Sequence, residues 1–250
     1  MTRHGAYIDG FAAPQARDHA DVKAAVQACS ASRVLNIRPP FLRDFWLCDL
    51  DSRGIILLRD IRDASPREKG RRVDVLHGDF NILVDQILDS GRITDQTATF
   101  ALLDQRTFEC HWKTVRKLAR HKQNGMKIEL FYFLGSSWLE RAMVGTTRNK
   151  QKIDRWWGRK DWLNLLNLSR GERAELFRNR FLKELGYAHA FVWPIYERGN
   201  ADSNAVYHMI HCTDHDIASD LMHKAYQTIT RPGSPEQIEL FPGQHFADSL

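Results

Sequence analysis

A chain of 250 residues, 43% hydrophobic and 27% charged, is long enough for one large α/β domain with a full core, and its formal charge of +5 leans towards polyanionic partners. No apolar run approaches the roughly 20 residues of a membrane span, and the start Met-Thr-Arg-His is no signal peptide, so a cytoplasmic protein with no membrane partner is expected. Cys29, Cys48, Cys110 and Cys212 are too scattered for a zinc knuckle or a disulfide framework, which predicts buried free thiols.

The first strand lies in A-Y-I-D-G-F-A-A-P-Q, residues 6–15. It ends at Asp9 and turns through small residues, where the carboxyl edge of a parallel sheet offers backbone N–H groups and room for a nucleotide-like ligand. Residues 16–31 are alanine-rich, with Val22 and Val26 at helical spacing. After Pro39 and Pro40, the apolar run 45–51 reads as strand two, and Ser52 can cap a helix over 54–64 with Ile55, Leu58 and Ile61 on one face. Residues 72–77 alternate as strand three and halt at Gly78-Asp79-Phe80-Asn81; Ile82, Leu83, Ile87 and Leu88 then mark an amphipathic helix. Strand four, 99–103, stops at Asp104. A basic helix over 112–121 and a fifth strand over 127–134 follow. Strands that alternate with helices and close on polar residues predict a parallel sheet with right-handed crossovers.

From residue 145 the pattern becomes basic and tryptophan-rich, followed by a helix over 171–185, so a helical insertion or lid is expected over about 145–186. Residues 189–196 and 204–212 read as an antiparallel hairpin and 216–229 as the last helix, completing a domain over 1–230. Arg231-Pro232-Gly233-Ser234-Pro235 opens a tail over 231–250. The expected fold class is α/β and Rossmann-like: a mostly parallel seven-stranded sheet with a C-terminal antiparallel hairpin and a helical insertion. His208, His211 and His215 lie close in sequence, but in a strand His208 and His211 face opposite sides, so no metal site is expected.

This order of elements is similar to that of the class I S-adenosylmethionine-dependent methyltransferases. Y-I-D-G-F-A-A-P-Q resembles the D-x-F-A-G-P-G turn of the three-Cys-motif partner proteins. His77-Gly78-Asp79-Phe80-Asn81, Leu103-Asp104, F-L-K-E-L-G-Y at 181–187 and V-Y-H-M-I-H-C-T at 206–213 match further motifs of that family, so the resemblance spans about 7–229. It implies a methyltransferase-like protein with S-adenosylmethionine as cofactor. It also implies a radical-enzyme-like three-Cys-motif protein as partner, and a setting near mobile elements or defence with nucleic acid, DNA first, as substrate. The alternative is a degenerate, non-catalytic scaffold that serves as a nucleic-acid- or partner-binding module.

On these motifs Asp9, Phe11, Ala13 and Pro14 would wrap the methionine part of the cofactor. Asp49, with Asp51 as second choice, would hold the ribose hydroxyls, Asp79 the adenine amine and Phe80 the adenine ring. Each acid alone could equally cap a helix or loop. Ala13 and Gln15 stand where the resembled turn has glycine; if positive φ is needed there, each would cost about 1 kcal/mol and weaken cofactor binding.

Asp104 is the expected acceptor of a proton or hydrogen bond from the substrate, with Phe108 stacking on a flipped base. Asp104-Gln105-Arg106-Thr107-Phe108 lacks the D-P-P-Y of amino-group methyltransferases, and Cys110 has no preceding proline for attack on cytosine, so neither chemistry follows directly. Trp156 and Trp157 among Arg155, Arg159 and Lys160 have the character of a nucleic-acid platform, or of a small core for the insertion. In the tail, Gln237-Ile238-Glu239-Leu240-Phe241 resembles the Q-x-x-L-F peptide that docks bacterial DNA-processing proteins on the sliding clamp, with Gln237 as the amide and Leu240 and Phe241 as anchors.

Overall fold

Parallel pairing of apolar strands dominates the structure, a computed structural model that describes residues 4–14, 21–145, 150–196 and 205–230. Its strands are β1 (Gly5–Asp9), β2 (Leu42–Asp49), β3 (Arg72–His77), β4 (Ala98–Leu103), β5 (Glu129–Leu134), β6 (His189–Ile195) and β7 (Tyr207–Thr213). They form one sheet in the order β3-β2-β1-β4-β5-β7-β6. The first five run parallel, and β7 is antiparallel to both its neighbours. The chain divides into two compact units, Met1–Asp214 and His215–Leu250.

In the first unit the alternation of side chains sorts the core onto two faces. Ala6 and Ile8 of β1, Trp46 and Cys48 of β2, and Ala101 and Leu103 of β4 join a cluster with α4 (Phe80–Leu88), α5 (Trp112–Arg120), α7 (Lys150–Trp157) and α8 (Arg170–Lys183). Tyr7, Phe45 and Leu47 face the other way, towards α2 (Ser30–Leu35) and α3 (Ser52–Ala64). The edge strands carry the residues that discourage further pairing: Arg72 and Asp74 on β3, and Pro194, which has no N–H to donate, on β6.

Several expected boundaries shift for local reasons. In place of a continuous helix over 16–31, the described residues hold two short ones, α1 (Val22–Ala28) and α2, parted at Cys29. Cys29 is extended, its thiol takes the Ser32 N–H at 3.5 Å, and Ser32 Oγ donates to the Val26 carbonyl at 2.5 Å, so side chains satisfy the break. Strand β2 ends at Asp49, which frees Asp51 to cap α3 through the N–H groups of Arg53 and Gly54, both at 3.3 Å; Ser52 is the first helical residue.

The alternating pattern already departs at α6 (Leu139–Gly145) and continues through α7 and a 3-10 turn at Trp162–Asn167. Helix α8 packs on β6 and β7 and, with a capping box at Ser169 and Glu172, serves as a layer helix of the sheet. The second unit contributes one described helix, α9 (Ala218–Thr230). Among the described residues no helix is long and apolar enough to cross a membrane. Three cysteines are buried thiols, and Cys29 is half-buried.

Candidate cofactor and substrate cleft

A cleft of about 630 Å³ opens at the carboxyl ends of β1 to β4. The loop after β1 contributes Gly10, Phe11, Ala13 and Pro14, and the loop after β2 contributes Asp49, Leu50 and Asp51. Residues 78–81 come from the end of β3, Asp104, Arg106, Phe108, Glu109 and His111 from the loop after β4, and Lys152 from α7. Strand order reverses between β1 and β4, the position at which open α/β sheets bind ligands.

Asp9 is 1% exposed and stands behind the cleft. Its Oδ1 accepts the Phe11 N–H at 3.2 Å, and its Oδ2 accepts the hydroxyls of Ser30 at 2.6 Å and Tyr7 at 3.1 Å. Burial pushes its pKa up to about 6 against those hydrogen bonds. The next donors are also used internally: Gly10 N–H to Leu102 O, Ala12 N–H to Cys48 O, and Ala13 N–H to Asp49 Oδ2 at 3.0 Å. The turn expected to offer free N–H groups therefore binds its own protein with all four from Gly10 to Ala13.

Ala13 needs no glycine conformation, because among the described residues positive φ occurs only at glycines. Its methyl faces α3, where a Cβ on Gly54 would overlap the Ala13 Cβ, so the glycine that makes room stands on the helix. Gln15 lies outside the described residues. Gly10 is required by close approach: a Cβ there would stand 2.8 Å from Phe80 Cδ1. Phe80 itself is 2% exposed and packs edge-on to Phe11, with centroids 5.9 Å apart. It props the turn from beneath and gives an adenine ring little face to stack on, a correction to its expected role. The open apolar side chain at this end is Leu50, 70% exposed. Sequence reading passed over it because a leucine between aspartates reads as the end of a strand.

The three cofactor-side acids all hold backbone. Asp49 takes Ala13 N–H on one oxygen and Asp51 N–H at 2.9 Å on the other; Asp51 caps α3, and Asp79 caps α4 through Asn81 N–H at 2.9 Å. Each carboxylate oxygen has a second lone pair, so capping and ligand contact are compatible.

Asp104 is exposed towards the cleft, and desolvation by the protein packed around it raises its pKa. Around it stand groups the sequence did not single out. Asn81 ties two loops together: its Oδ1 accepts His111 N–H at 2.8 Å and Thr114 Oγ1 at 2.7 Å, and its Nδ2 donates to Asp79 Oδ1 and Glu109 O, both at 2.7 Å. Glu109 accepts Thr107 N–H at 2.6 Å and lies 3.7 Å from Lys152 Nζ. Burial lowers the pKa of His111, with Arg155 and Lys152 adding to the effect and Asp79 opposing it. The cleft is thus acidic towards β2 and β3, whereas on the side of β4 and α7 the acids Asp104 and Glu109 stand beside Arg106, Lys152 and His111.

The expected aromatic contacts to a base are corrected by burial. Phe108 is 2% exposed and packs edge-on to Trp156 at 5.0 Å. Trp156 and Trp157, 0% and 3% exposed, both pack on Phe177. The Arg180 guanidinium lies between Trp112 and Trp157, 3.8 and 4.0 Å from their centroids, and is neutralised by Glu184. These rings are a core joining α5, α7 and α8, and of the five residues expected to form the platform Arg155, Arg159 and Lys160 remain exposed. His208 and His211 have separate partners, Ser136 and Glu129. Among the described residues no group of three or more side chains could hold a metal ion. Gln237, Leu240 and Phe241 lie outside the described residues.

No family model matches the chain, and no curated protein matches it, so the likeness to three-Cys-motif partner proteins rests on the motifs quoted above. Among solved structures, the methyltransferase domain of bacterial CtHen1 aligns at 10% identity, covering 85% of this chain and 91% of that one, with a TM-score of 0.46. The CurJ carbon methyltransferase aligns at 12% identity and TM-score 0.46, with 86% of this chain spanning 50% of that one. An S-adenosylmethionine-dependent methyltransferase from Methanosarcina mazei aligns at 10% identity and TM-score 0.37, covering 85% of this chain and 93% of that one. The assignment of the fold stands on strand order and direction. Five parallel strands in the order 3-2-1-4-5, extended by an antiparallel seventh and then the sixth, give this chain the class I methyltransferase-like fold.

Proposed function

We propose that this chain binds S-adenosylmethionine in the cleft and transfers a methyl group to nucleic acid, DNA first. The observation that carries this reading is the line of acids at the carboxyl ends of β2 and β3, Asp49, Asp51 and Asp79, in the same cleft as Asp104, Arg106 and Lys152. The acids fit a cationic cofactor with a ribose diol, and Arg106 and Lys152 would meet the phosphates of a nucleic-acid substrate. When bound, S-adenosylmethionine would supply an electrophilic methyl group on a sulfonium. Asp49 and Asp79 would hold its hydroxyl and amine groups with their remaining lone pairs, and Leu50 would cover its apolar face. Asp104, its pKa raised by the enclosing walls, would accept a proton or hydrogen bond from the substrate nucleophile.

A second reading, a scaffold that binds without catalysis, is favoured by the pairing of every N–H from Gly10 to Ala13 and by the covered face of Phe80. Transfer of labelled methyl groups to DNA separates the two. The wild-type chain should label the polymer, and Asp104→Asn should lower the rate by about 100-fold or more while cofactor affinity holds within a few-fold. Absence of label with a bound cofactor would favour the second reading.

A further inference from the structure

The exposed side of α5 carries Lys113, Arg116 and Arg120 at i, i+3 and i+7, a single stripe opposite the buried Val115 and Leu118. Lys113 and Arg116 make no hydrogen bond or ion pair with any described residue, and neither do Arg155 and Lys160 of the neighbouring segment. The two groups adjoin. The end of α7 lies on the start of α5, since a Cβ at Gly158 would stand 2.7 Å from Trp112 Cβ. At the far end Arg159 and Arg120 both reach Glu184, at 2.6 and 3.4 Å. Of the nearby acids, Asp85 is paired with Lys117 and Glu184 with Arg180 and Arg159, while Asp154 and Asp161 accept tryptophan N–H groups and keep their charge. The band begins at the cleft, whose wall includes His111, immediately before α5, and Lys152 of α7.

We propose that this face of α5 and α7 docks the phosphate backbone of double-stranded DNA and leads it to the cleft. The proposal deepens the nucleic-acid reading and rests on it for the choice of DNA and for the strand's destination. A duplex is favoured over a single strand because the aromatic residues of this region, Trp112, Trp156 and Trp157, are buried, leaving point charges that contact phosphates and no platform for unstacked bases. DNA is taken over RNA from the proposed function, and an RNA duplex is therefore an arm of the test.

Fluorescence anisotropy of the full chain with a labelled DNA duplex of about 30 base pairs tests the surface, comparing Lys113→Glu, Arg116→Glu, Arg120→Glu with a control that reverses three charges elsewhere, Arg53→Glu, Arg59→Glu, Lys69→Glu. At about 0.1 M salt the α5 variant should bind at least tenfold more weakly, and its log K against log salt slope should shrink by about 2 to 3. The control should stay within about threefold of wild type. If the reversal disturbs the melting temperature, the same three positions as Gln should give the same order with a smaller loss. Equal losses in both variants, no loss in either, or tighter wild-type binding to a single strand or an RNA duplex would overturn the proposal. A wild type that binds the duplex through α5 but takes up no S-adenosylmethionine would support this surface and sink the methyl-transfer reading.

Discussion

Asp9 shapes the first turn of the cleft from behind its wall. Its carboxylate is enclosed by Tyr7, Ser30 and the Phe11 N–H, and it fixes the backbone from which the cleft is built. Its pKa in the fold is about 6 against an ordinary 3.8, so the folded state holds the proton more tightly than the unfolded chain does. The resulting contribution to stability is full below about pH 4 and lost as pH rises through about 6. Removing the titration should expose this. The unfolding free energy of wild type relative to Asp9→Asn, from urea titrations, should fall by on the order of 2 kcal/mol between about pH 4 and 7. A difference that stays flat across that range would mean Asp9 is not held protonated. The residue type at the strand end was legible from the sequence, because a polar stop after an apolar run is a local signal. That the carboxylate faces inward was not, since Ser30 arrives from a helix 21 positions away.

The elements themselves were largely readable for a similar reason. Central parallel strands are apolar on both faces and the helices between them are amphipathic, so the alternation survives small errors at the ends. In the insertion the sequence left two readings of Trp156 and Trp157 open, a surface platform or a small core, and distant packing decides between them, because Phe177 of α8 covers both rings. Lys152 likewise reaches Glu109, in the loop after β4, because α7 lies on α5. Ala13 and Gly54 make the same point between two elements, since the extra methyl on the turn is accommodated by a missing one on α3. Gly54→Ala alone should cost about 1–3 kcal/mol through overpacking, despite the better helix propensity of alanine. On an Ala13→Gly background it should cost less than about 0.5 kcal/mol, a coupling that a double-mutant cycle of unfolding free energies measures. Additive costs would contradict the contact.

Across the whole first unit, the sheet brings to its carboxyl edge the acids that cap helices α3 and α4, and beside them a group of mixed charge from the loop after β4 and from α7: Asp104, Arg106, Glu109, His111 and Lys152. The fold is class I methyltransferase-like, and the N–H groups of the turn after β1 are bound within the protein. Whether the cleft still takes the cofactor is the claim on which the functional account depends. Isothermal titration of the folded full chain with S-adenosylmethionine tests it directly, with Asp49→Ala alongside. The account predicts saturable heat with a dissociation constant in about the micromolar range, weakened at least tenfold in the variant. No heat at about millimolar ligand, with the wild-type protein folded, would contradict it.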